Sequence, residues 1–218
     1  MKLVVLTDIH NHVLTINQIG RTLMEADYVL LAGDLTTFGN AQDAQKVIDA
    51  IANYNQNILA VPGNCDPASV ATFLNEKKLN LDNQVREIDG YFFFGIGGSL
   101  PAPGTTPNEL YEEQFSDILN QLRPKIKEPH KWIFLIHQPP FNTIADRLSA
   151  NRHVGSKALR NFVKEVQPLV YFTGHIHEGR GTDQIGQTVV VNPGPFHYGN
   201  FAVAEIAGTS VNVELRKI

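Results

Sequence analysis

Nine short apolar runs recur along the chain, and each stops abruptly at a glycine, a proline or a polar cluster. Runs of this length with β-branched side chains and flanking breaker residues are typical of buried strands rather than helices. Strands of this kind have to pair into sheets whose apolar faces are covered. The predicted strands are Leu3–Leu6, Tyr28–Ala32, Ile58–Val61, Tyr91–Ile96, Trp132–Ile136, Leu169–Phe172, Thr188–Val191, Phe201–Ile206 and Val211–Leu215.

Amphipathic helical patterns lie between several of these runs. Residues that share one helix face are Val47, Ile48 and Ile51 in the first pattern, Phe115, Ile118, Leu119 and Leu122 in the second, and Leu159, Phe162, Val163 and Val166 in the third. Ser156 is a candidate N-cap for the third helix, which should end before Pro168. Because strand and helix alternate over the first two-thirds of the chain, a largely parallel sheet with helices outside it is expected.

The last third of the chain has a different pattern. From Gly179 onward the sequence predicts strands joined by turns, with residues 207–210 as a hairpin connection. Together the two patterns predict an α/β fold, a β-sandwich of two sheets packed face to face between helices. The chain has 218 residues and no internal repeat or linker, so one domain over residues 1–218 is expected.

Composition limits the classes of function. A formal net charge of −4 without a long basic run argues against broad nucleic-acid binding, whereas an anionic substrate is compatible because bound cations can dominate the local field. Cys65 is the one cysteine, which excludes an internal disulfide and suits a reducing compartment. The apolar run before Asp8 is too short for a signal peptide or a membrane span. These features predict a cytoplasmic protein without a membrane partner.

Side chains with oxygen, nitrogen or sulfur donors come directly after five of the predicted strands. They are Asp8 and His10 after the first strand, Asp34 after the second, Asn64, Cys65 and Asp66 after the third, His137 after the fifth, and His175 and His177 after the sixth. In open α/β sheets, sites form beyond the carboxyl ends of the strands, so these clusters are expected to converge in space.

The spacing of these side chains suits metal binding. Asp8 and His10 are two residues apart, so an extended segment would direct both to the same side, and His175 with His177 repeats this spacing. Gly33 permits a tight backbone beside the ligands. A carboxylate can bridge two cations, while imidazole and amide oxygen fill the remaining coordination positions.

The ordered set D-x-H, G-D, G-N-C-D, H and G-H-x-H resembles the calcineurin-like metallophosphoesterase superfamily and extends from Asp8 to His177. The resemblance implies a two-sheet sandwich flanked by helices and a site for two metal ions. By this resemblance, the ligands are Asp8, His10, Asp34 and His177 for the first ion, with Asp34 bridging, and Asn64, His137 and His175 for the second. The mixed nitrogen and oxygen donors are compatible with manganese, iron or zinc.

The resemblance also implies a reaction, in-line attack of a metal-bridging hydroxide on phosphorus. Similarity to small prokaryotic phosphodiesterases makes a phosphodiesterase the first expectation, with a small phosphate ester such as a nucleotide as substrate. The alternatives are a phosphomonoesterase, a nucleotide pyrophosphohydrolase and a non-catalytic protein-binding scaffold of the same fold. A nuclease is a weaker alternative, because the short chain has no basic run. The oligomeric state is left open.

One position departs from the family pattern. Many members have a histidine that acts on the leaving group where this chain has Cys65, a weaker hydrogen-bond partner, although a small prokaryotic branch shares the G-N-C-D variant. Cys65 could occupy the leaving-group position or be a small buried hydrophobe. Asp66 could orient residue 65 or complete a turn before Pro67. The catalytic candidates implied by the resemblance are Asn64, Cys65, Asp66 and His137.

Two segments, residues 97–108 and 138–155, are long enough to be functional loops. In the second, Arg147, Arg152 and His153 are candidates for contacting a phosphate or a base, although exposed basic residues on loops are more often only solvated. His197 could face the site and replace the missing acid, or lie in a solvated loop, and the second interpretation is preferred.

Overall fold

A computed structural model describes residues 1–149 and 152–218, and the strands of this part of the chain form two sheets. In chain order the strands are β1 (Lys2–Leu6), β2 (Tyr28–Ala32), β3 (Ile58–Val61), β4 (Val85–Ile88), β5 (Tyr91–Ile96), β6 (Trp132–Ile136), β7 (Val170–Phe172), β8 (Gly181–Ile185), β9 (Thr188–Asn192), β10 (Asn200–Ala207) and β11 (Ser210–Lys217).

The first sheet has the order β11-β10-β1-β2-β3 and the second the order β4-β5-β6-β7-β9-β8. In the first sheet β1, β2 and β3 are parallel, and β10 is antiparallel to β1 and to β11. In the second sheet β5, β6, β7 and β9 are parallel, with β4 and β8 antiparallel at the two edges. The parallel strands of each sheet therefore end at a common edge.

Helices cover the outer face of each sheet. In chain order they are α1 (Val13–Ile16), α2 (Gly20–Met24), α3 (Ala41–Ala52), α4 (Ala68–Glu76), α5 (Glu112–Leu122) and α6 (Lys157–Val166). Apolar residues of α1 to α4 pack on the first sheet, those of α5 and α6 pack on the second, and a separate cluster fills the space between the sheets. The predicted α/β sandwich is confirmed.

The apolar runs are continuous because the sheets are buried on both faces. In β1, Val4 and Leu6 pack against the helical layer, whereas Leu3 and Val5 face the other sheet. Ser156 accepts a hydrogen bond from Leu159 N and caps α6, as predicted. The predicted hairpin also forms, with β10 and β11 paired up to the turn at residues 207–210.

Several elements were not predicted from the sequence. Both β4 and β8 are edge strands with few buried residues, and edge strands carry a weak apolar pattern. The short helices α1 and α2 and the nine-residue helix α4 were also missed. Of the two predicted loops, residues 97–108 contain no helix or named strand, and residues 138–155, as far as they are described, contain one 3₁₀ turn at Ile144–Asp146. None of the helices in the described ranges has the length and apolar character needed to cross a membrane.

Candidate metal centre

The loops that carry the predicted ligands meet where β1, β2 and β3 of the first sheet and β6 and β7 of the second sheet end. Backbone hydrogen bonds join these loops in pairs. Asp8 N donates to Gly33 O at 3.0 Å, and Gly174 N donates to His137 O at 3.1 Å. The sheet edge thus brings together side chains that lie far apart in the sequence.

The backbone at four of the predicted ligands is not extended. Asp8, His10, Asp34 and His175 have φ values of 53°, 50°, 51° and 66°, a left-handed conformation that costs a residue with a side chain about 1–3 kcal/mol. The prediction that an extended segment directs Asp8 and His10 to one side is therefore wrong, because the chain turns at each of these residues instead. Such strain persists only where the surrounding structure holds it, and it clusters at functional sites.

A first group of donors contains Asp8, His10 and His177, whose ligand atoms lie within 4.8 Å of one another. His177 Nε2 is 3.4 Å from Asp8 Oδ1. That oxygen is buried and has no hydrogen bond of acceptable geometry from any described residue. A buried carboxylate oxygen without a partner is costly, so this atom fits a position next to a cation.

A second group contains Asp8, Asp34 and His137, again with ligand atoms within 4.8 Å of one another. His137 Nδ1 lies 2.7 Å from Ala32 O, so a neutral ring donates its Nδ1 proton there and keeps a lone pair on Nε2. His137 Nε2 lies 2.9 Å from Asn64 Oδ1 and 3.6 Å from Asp34 Oδ1. When the His137 ring is neutral, the lone pairs of His137 Nε2, Asn64 Oδ1 and Asp34 Oδ1 converge with no proton between them. Such an arrangement of electron-pair donors suits a cation.

His175 and His10 complete the cluster. The His175 ring lies 5.2 Å from the His137 ring between centroids, and His175 N donates to Asp8 Oδ2 at 3.2 Å. His10 Nε2 is 3.7 Å from Asp34 Oδ2 and so connects the two groups. The structure brings all seven predicted ligand residues together, namely Asp8, His10, Asp34, Asn64, His137, His175 and His177.

Burial controls the protonation of this cluster. It raises the pKa of Asp34 to about 7, although the charge of His137 opposes the shift. Burial alone would also raise the pKa of Asp8, but its contacts with histidines lower that pKa below the ordinary value. Burial lowers the pKa of His10 to about 4 and that of His175 to about 3. Both imidazoles are therefore neutral near pH 7 and offer free lone pairs.

Two glycines allow the ligand loops to approach one another. A Cβ at Gly63 would overlap Asp34 Oδ1, and a Cβ at Gly174 would overlap Thr7 Oγ1. Thr7 in turn lies directly beside the cluster, with its Oγ1 2.8 Å from Asp8 Oδ2. The glycines of these motifs are thus required by close packing around the carboxylates.

Asp66 connects two of the ligand loops. Its carboxylate accepts hydrogen bonds of 2.8–3.0 Å from Leu35 N, Thr36 N, Thr36 Oγ1 and Gly63 N. The residue is buried, and it holds the loop of Asp34 next to the loop of Asn64. Asp66 therefore does more than complete a turn before Pro67, and its contacts indicate a positioning residue.

Cys65 lies inside the cluster. Its backbone N donates to Asp34 Oδ1 at 2.8 Å, and its Sγ belongs to a group with His10 and Asp34 whose ligand atoms lie within 4.8 Å of one another. Burial, with the charge of Asp34, raises the pKa of the thiol above its usual range. The polar surroundings do not fit the alternative that Cys65 is only a small apolar side chain.

His197 lies beside the cluster and not in a solvated loop. Its ring centroid is 5.2 Å from that of His10 and 5.1 Å from that of His177. His197 Nδ1 is 3.0 Å from Asp8 O, which leaves Nε2 available to another partner. The preferred interpretation of His197 from the sequence is therefore wrong, and the alternative in which it faces the site fits the geometry.

The other proposed substrate contacts belong to the loop after β6. His153 Nδ1 lies 2.6 Å from Asp146 Oδ1, and this carboxylate also accepts backbone hydrogen bonds within the loop. Arg147 and Arg152 are exposed. Among the described residues, no hydrogen bond or ion pair joins Arg147, Arg152 or His153 to the seven ligand candidates.

The donor set fits two cations, because carboxylate, imidazole and amide donors converge around an unpartnered buried oxygen. The family model described as metallophosphoesterase, calcineurin superfamily, matches residues 39–216. The chain belongs to this superfamily. Members are hydrolases that act on phosphoesters at a dinuclear metal site, and the residues of this cluster supply candidate ligands for such a site.

One protein sequence and two solved structures are similar to this chain. An uncharacterized protein of Methanocaldococcus jannaschii is 38% identical over 202 residues, which cover 91% of this chain and 90% of the relative. A crystal structure from Thermus thermophilus has a TM-score of 0.78 at 16% identity and covers 98% of this chain and 97% of its own. A structure described as a novel archaeal phosphodiesterase has a TM-score of 0.53 at 18% identity and covers 99% of this chain and 100% of its own. The two structures have the same fold as this metallophosphoesterase.

Residues outside the five motifs also border the site. Asn108 Nδ2 donates to Gly63 O at 3.0 Å, and Asn192 Nδ2 donates to Ile176 O at 2.9 Å. Glu109 is close enough to His175 for its charge to act on the histidine pKa. Asn192 stands in an Asn-Pro-Gly turn, whereas Asn108 ends the predicted loop of residues 97–108 and Glu109 follows it.

Proposed function

We propose that this metallophosphoesterase is a phosphodiesterase. Seven residues would hold two metal ions: Asp8, His10, Asp34 and His177 the first, and Asn64, His137 and His175 the second, with Asp34 shared between them. The buried Asp8 Oδ1, which has no hydrogen bond of acceptable geometry, carries this assignment, because a bound cation would offset its burial. When bound, the two ions supply an activated water and neutralise charge on the phosphoryl oxygens.

The protein side chains have separate tasks in this proposal. His137 keeps its Nε2 lone pair directed at the second ion because its Nδ1 donates to Ala32 O. Asp66 holds the loops of Asp34 and Asn64 at a constant separation through its hydrogen bonds. Fixed ligand positions of this kind keep the substrate oriented and lower the reorganisation needed in the transition state.

The charges around the cluster favour a diester. The carboxylates of Asp66, Glu109 and Glu178 all lie close enough to act on the pKa values of cluster residues, so three carboxylates that are not ligand candidates lie near the site. A diester has one negative charge, whereas a monoester has up to two near pH 7. The likeness in fold to a protein described as an archaeal phosphodiesterase also supports this substrate class.

His197 is our candidate for contact with the leaving group or a phosphoryl oxygen. Its Nε2 is available, and its ring borders both His10 and His177. Cys65 is a weaker candidate for donating a proton, because burial and Asp34 raise the pKa of its thiol. Slow proton donation would make the rate depend strongly on the leaving group, as expected from the missing histidine at position 65.

A matched pair of substrates tests the diester preference. Metal-depleted protein is reconstituted with manganese, zinc or iron(II) and assayed with bis(p-nitrophenyl) phosphate and p-nitrophenyl phosphate, which release the same phenol. We expect kcat/KM for the diester to be higher by about tenfold, which corresponds to about 1.4 kcal/mol of repulsion on the second charge. A preference for the monoester contradicts the proposal, and a preference for a dinucleotide pyrophosphate indicates a pyrophosphohydrolase. Full metal occupancy without turnover of any ester indicates a scaffold.

A variant tests the role of His197. His197→Gln should lower kcat by about 10²-fold on alkyl esters and much less on nitrophenyl esters, because good leaving groups need little assistance. His153→Gln, in the loop after β6, is the matched control and should leave this ratio unchanged. Equal losses of kcat on both ester classes would show that His197 does not assist the leaving group.

A further inference from the structure

The single cysteine of the chain lies where a metal ligand would lie. Its sulfur, a His10 ring nitrogen and an Asp34 carboxylate oxygen are within 4.8 Å of one another. Ligands bonded to one ion at roughly 2.0–2.3 Å are never more than twice that bond length apart, and adjacent ones are closer. The three donors are therefore spaced so that small side-chain rotations bring all of them to one ion.

The backbone around Cys65 restricts the position of its sulfur. Cys65 N donates to Asp34 Oδ1 at 2.8 Å, so the thiol stays next to the carboxylate that bridges the two ions in our proposal. Asn64 Nδ2 lies 3.7 Å from Cys65 Sγ, the distance of a weak hydrogen bond to sulfur. The same amide directs its Oδ1 to His137 Nε2 at 2.9 Å. Asn64 thus contacts both the ring of His137 and the sulfur of Cys65.

An independent observation indicates that a cation belongs among these groups. Asp8 Oδ1 is buried, has no hydrogen bond of acceptable geometry from a described residue, and lies 3.4 Å from His177 Nε2. Asp8 shares one donor group with His10 and another with Asp34, the two residues that also share a group with Cys65. The sulfur therefore lies next to the two residues that share donor groups with this unpartnered carboxylate.

We infer that Cys65 is a direct ligand of the ion held by His10 and Asp34, in addition to the ligands that the family motifs predict. This inference rests on the dinuclear site of the proposed function. On binding, a divalent ion forms a bond to sulfur, and the thiol proton leaves to solvent, so that one proton is released for each Cys65 bound. The sulfur thus has a coordinating task where many relatives have a histidine for the leaving group.

A thiolate ligand changes which metal the site prefers. Thiolate selects zinc, cadmium or iron(II) over manganese, which is bound better by oxygen donors. The ratio of zinc to manganese affinity should therefore be at least about tenfold higher in the wild type than in Cys65→Ser, because loss of the sulfur removes the soft ligand and leaves an oxygen in its place. Cys65→Ala supplies a control without any donor at this position.

The test uses metal-depleted full-length protein titrated with cadmium or cobalt(II). Since the chain has one cysteine, an ultraviolet thiolate-to-metal charge-transfer band can come only from Cys65. We expect the band to saturate with bound metal in the wild type and to be absent in both variants. Circular dichroism checks that the variants are folded. A second measurement needs no variant: bound zinc should slow alkylation of Cys65 by iodoacetamide at least about tenfold, because a coordinated thiolate is a poor nucleophile.

The outcomes separate the two proposals. Two ions bound per chain, ester hydrolysis, and neither a charge-transfer band nor protection from alkylation would overturn the role of Cys65 and leave the proposed function intact. Failure to bind any of the metals would overturn both. A band together with slower alkylation and a lower zinc preference in Cys65→Ser would support the inference.

Discussion

Two kinds of loop surround the metal centre, and they use carboxylates in opposite ways. In the ligand loops, Asp8 is buried with one oxygen left without a hydrogen bond. In the long loop after β6, Asp146 is equally buried, but its oxygens accept hydrogen bonds from Asn142 N, Thr143 N and Gly155 N. Glu109, at the end of the other long loop, accepts hydrogen bonds from Thr106 N and Thr106 Oγ1.

The difference shows what each carboxylate is for. A carboxylate whose lone pairs are filled by loop N–H groups stabilises that loop, because each buried N–H needs a partner. A carboxylate with an unfilled buried oxygen needs a cation instead. The ligand loops also hold Asp8, His10, Asp34 and His175 in left-handed backbone. Left-handed backbone also occurs at Thr105 and Asn142 in the two long loops. The unfilled carboxylate oxygen, rather than the backbone strain, therefore distinguishes the metal-binding loops from the loops that only surround the site.

The largest effect should follow from exchanging a carboxylate of the ligand loops for an amide, in comparison with the same exchange in the long loop after β6. Asp34→Asn should lower kcat/KM by about 10³-fold or more, because it removes the bridging charge and with it several kcal/mol of metal-ion stabilisation. Activity with excess metal and the metal content after dialysis measure this loss.

Asp146→Asn is the matched control. The amide of Asn has an NH₂ group where Asp146 has an oxygen, so one or more of the loop N–H groups would lose its acceptor. We therefore expect a loss of about 1–3 kcal/mol in the free energy of unfolding and an unchanged metal content. If Asp146→Asn loses as much metal as Asp34→Asn, the distinction between the two kinds of loop is wrong.

A methyl group tests the close packing of the ligand loops. Gly63→Ala would place its Cβ against Asp34 Oδ1 and Asp34 N, so we expect a loss of about 1–3 kcal/mol in stability and weaker metal binding. Gly104→Ala in the long loop meets no atom within 4 Å, although its φ of +103° adds local strain. Calorimetric titration with zinc should therefore separate the two variants, and equal zinc affinities would show that the ligand loops can relax.

Protons should compete with metal ions for the carboxylates of the ligand loops, whereas protonation in the long loop should not affect metal affinity. Burial raises the pKa of Asp34 to about 7, so this carboxyl is protonated below that pH and must lose its proton to bind metal. Contact with Asp8 also raises the pKa of the ligand candidate His177. The apparent metal affinity should therefore fall by at least about tenfold for each pH unit well below 7. Titrations at a series of pH values measure this slope.

Glu109 provides the comparison for this pH dependence. Hydrogen bonds from Thr106 lower the pKa of Glu109, so it stays ionised over this range. Glu109→Gln should leave the shape of the affinity curve unchanged. A curve for the wild type that is flat from pH 5 to pH 8 would show that Asp34 does not take up a proton there.

The smallest effect concerns the exposed basic residues of the long loop. Arg147→Gln and Arg152→Gln should each raise KM by a factor of a few with kcat unchanged, since an exposed charge contact contributes about 1 kcal/mol or less. Lys46→Gln on α3 removes an exposed charge paired with Asp43 and serves as the control. If all three variants have the same KM, the loop arginines do not contact the substrate.

The buried strands were predictable because their two faces are both covered, so that almost every residue in them is apolar. Edge strands such as β4 and β8 were not, since half of their residues meet solvent and resemble loops. The ligand candidates were predictable because the strands before them were. Asp34 and His137 each come one or two residues after a buried strand, and polar side chains at such positions have few roles that do not involve a site.

His197 shows where sequence reasoning failed. It belongs to a short 3₁₀ turn, Phe196–Tyr198, that is attached to the first ligand loop by Phe196 N donating to Thr7 O and His197 N donating to Asp8 O. These contacts join residues about 190 positions apart, and no local pattern around His197 records them. The left-handed backbone at Asp8 and His10 was missed in the same way, because it depends on the neighbouring loops.

The sequence by itself determined the buried strands, the class of fold and the identity of the residues that converge at the sheet edge. These follow from local apolar patterns and from the rule that parallel strands end together. Only the tertiary structure decided which oxygen lacks a partner, which carboxylate is filled by backbone donors, and that His197 lies against the cluster. Such features depend on distances between loops from different strands, and those distances are set by packing rather than by neighbours in the chain.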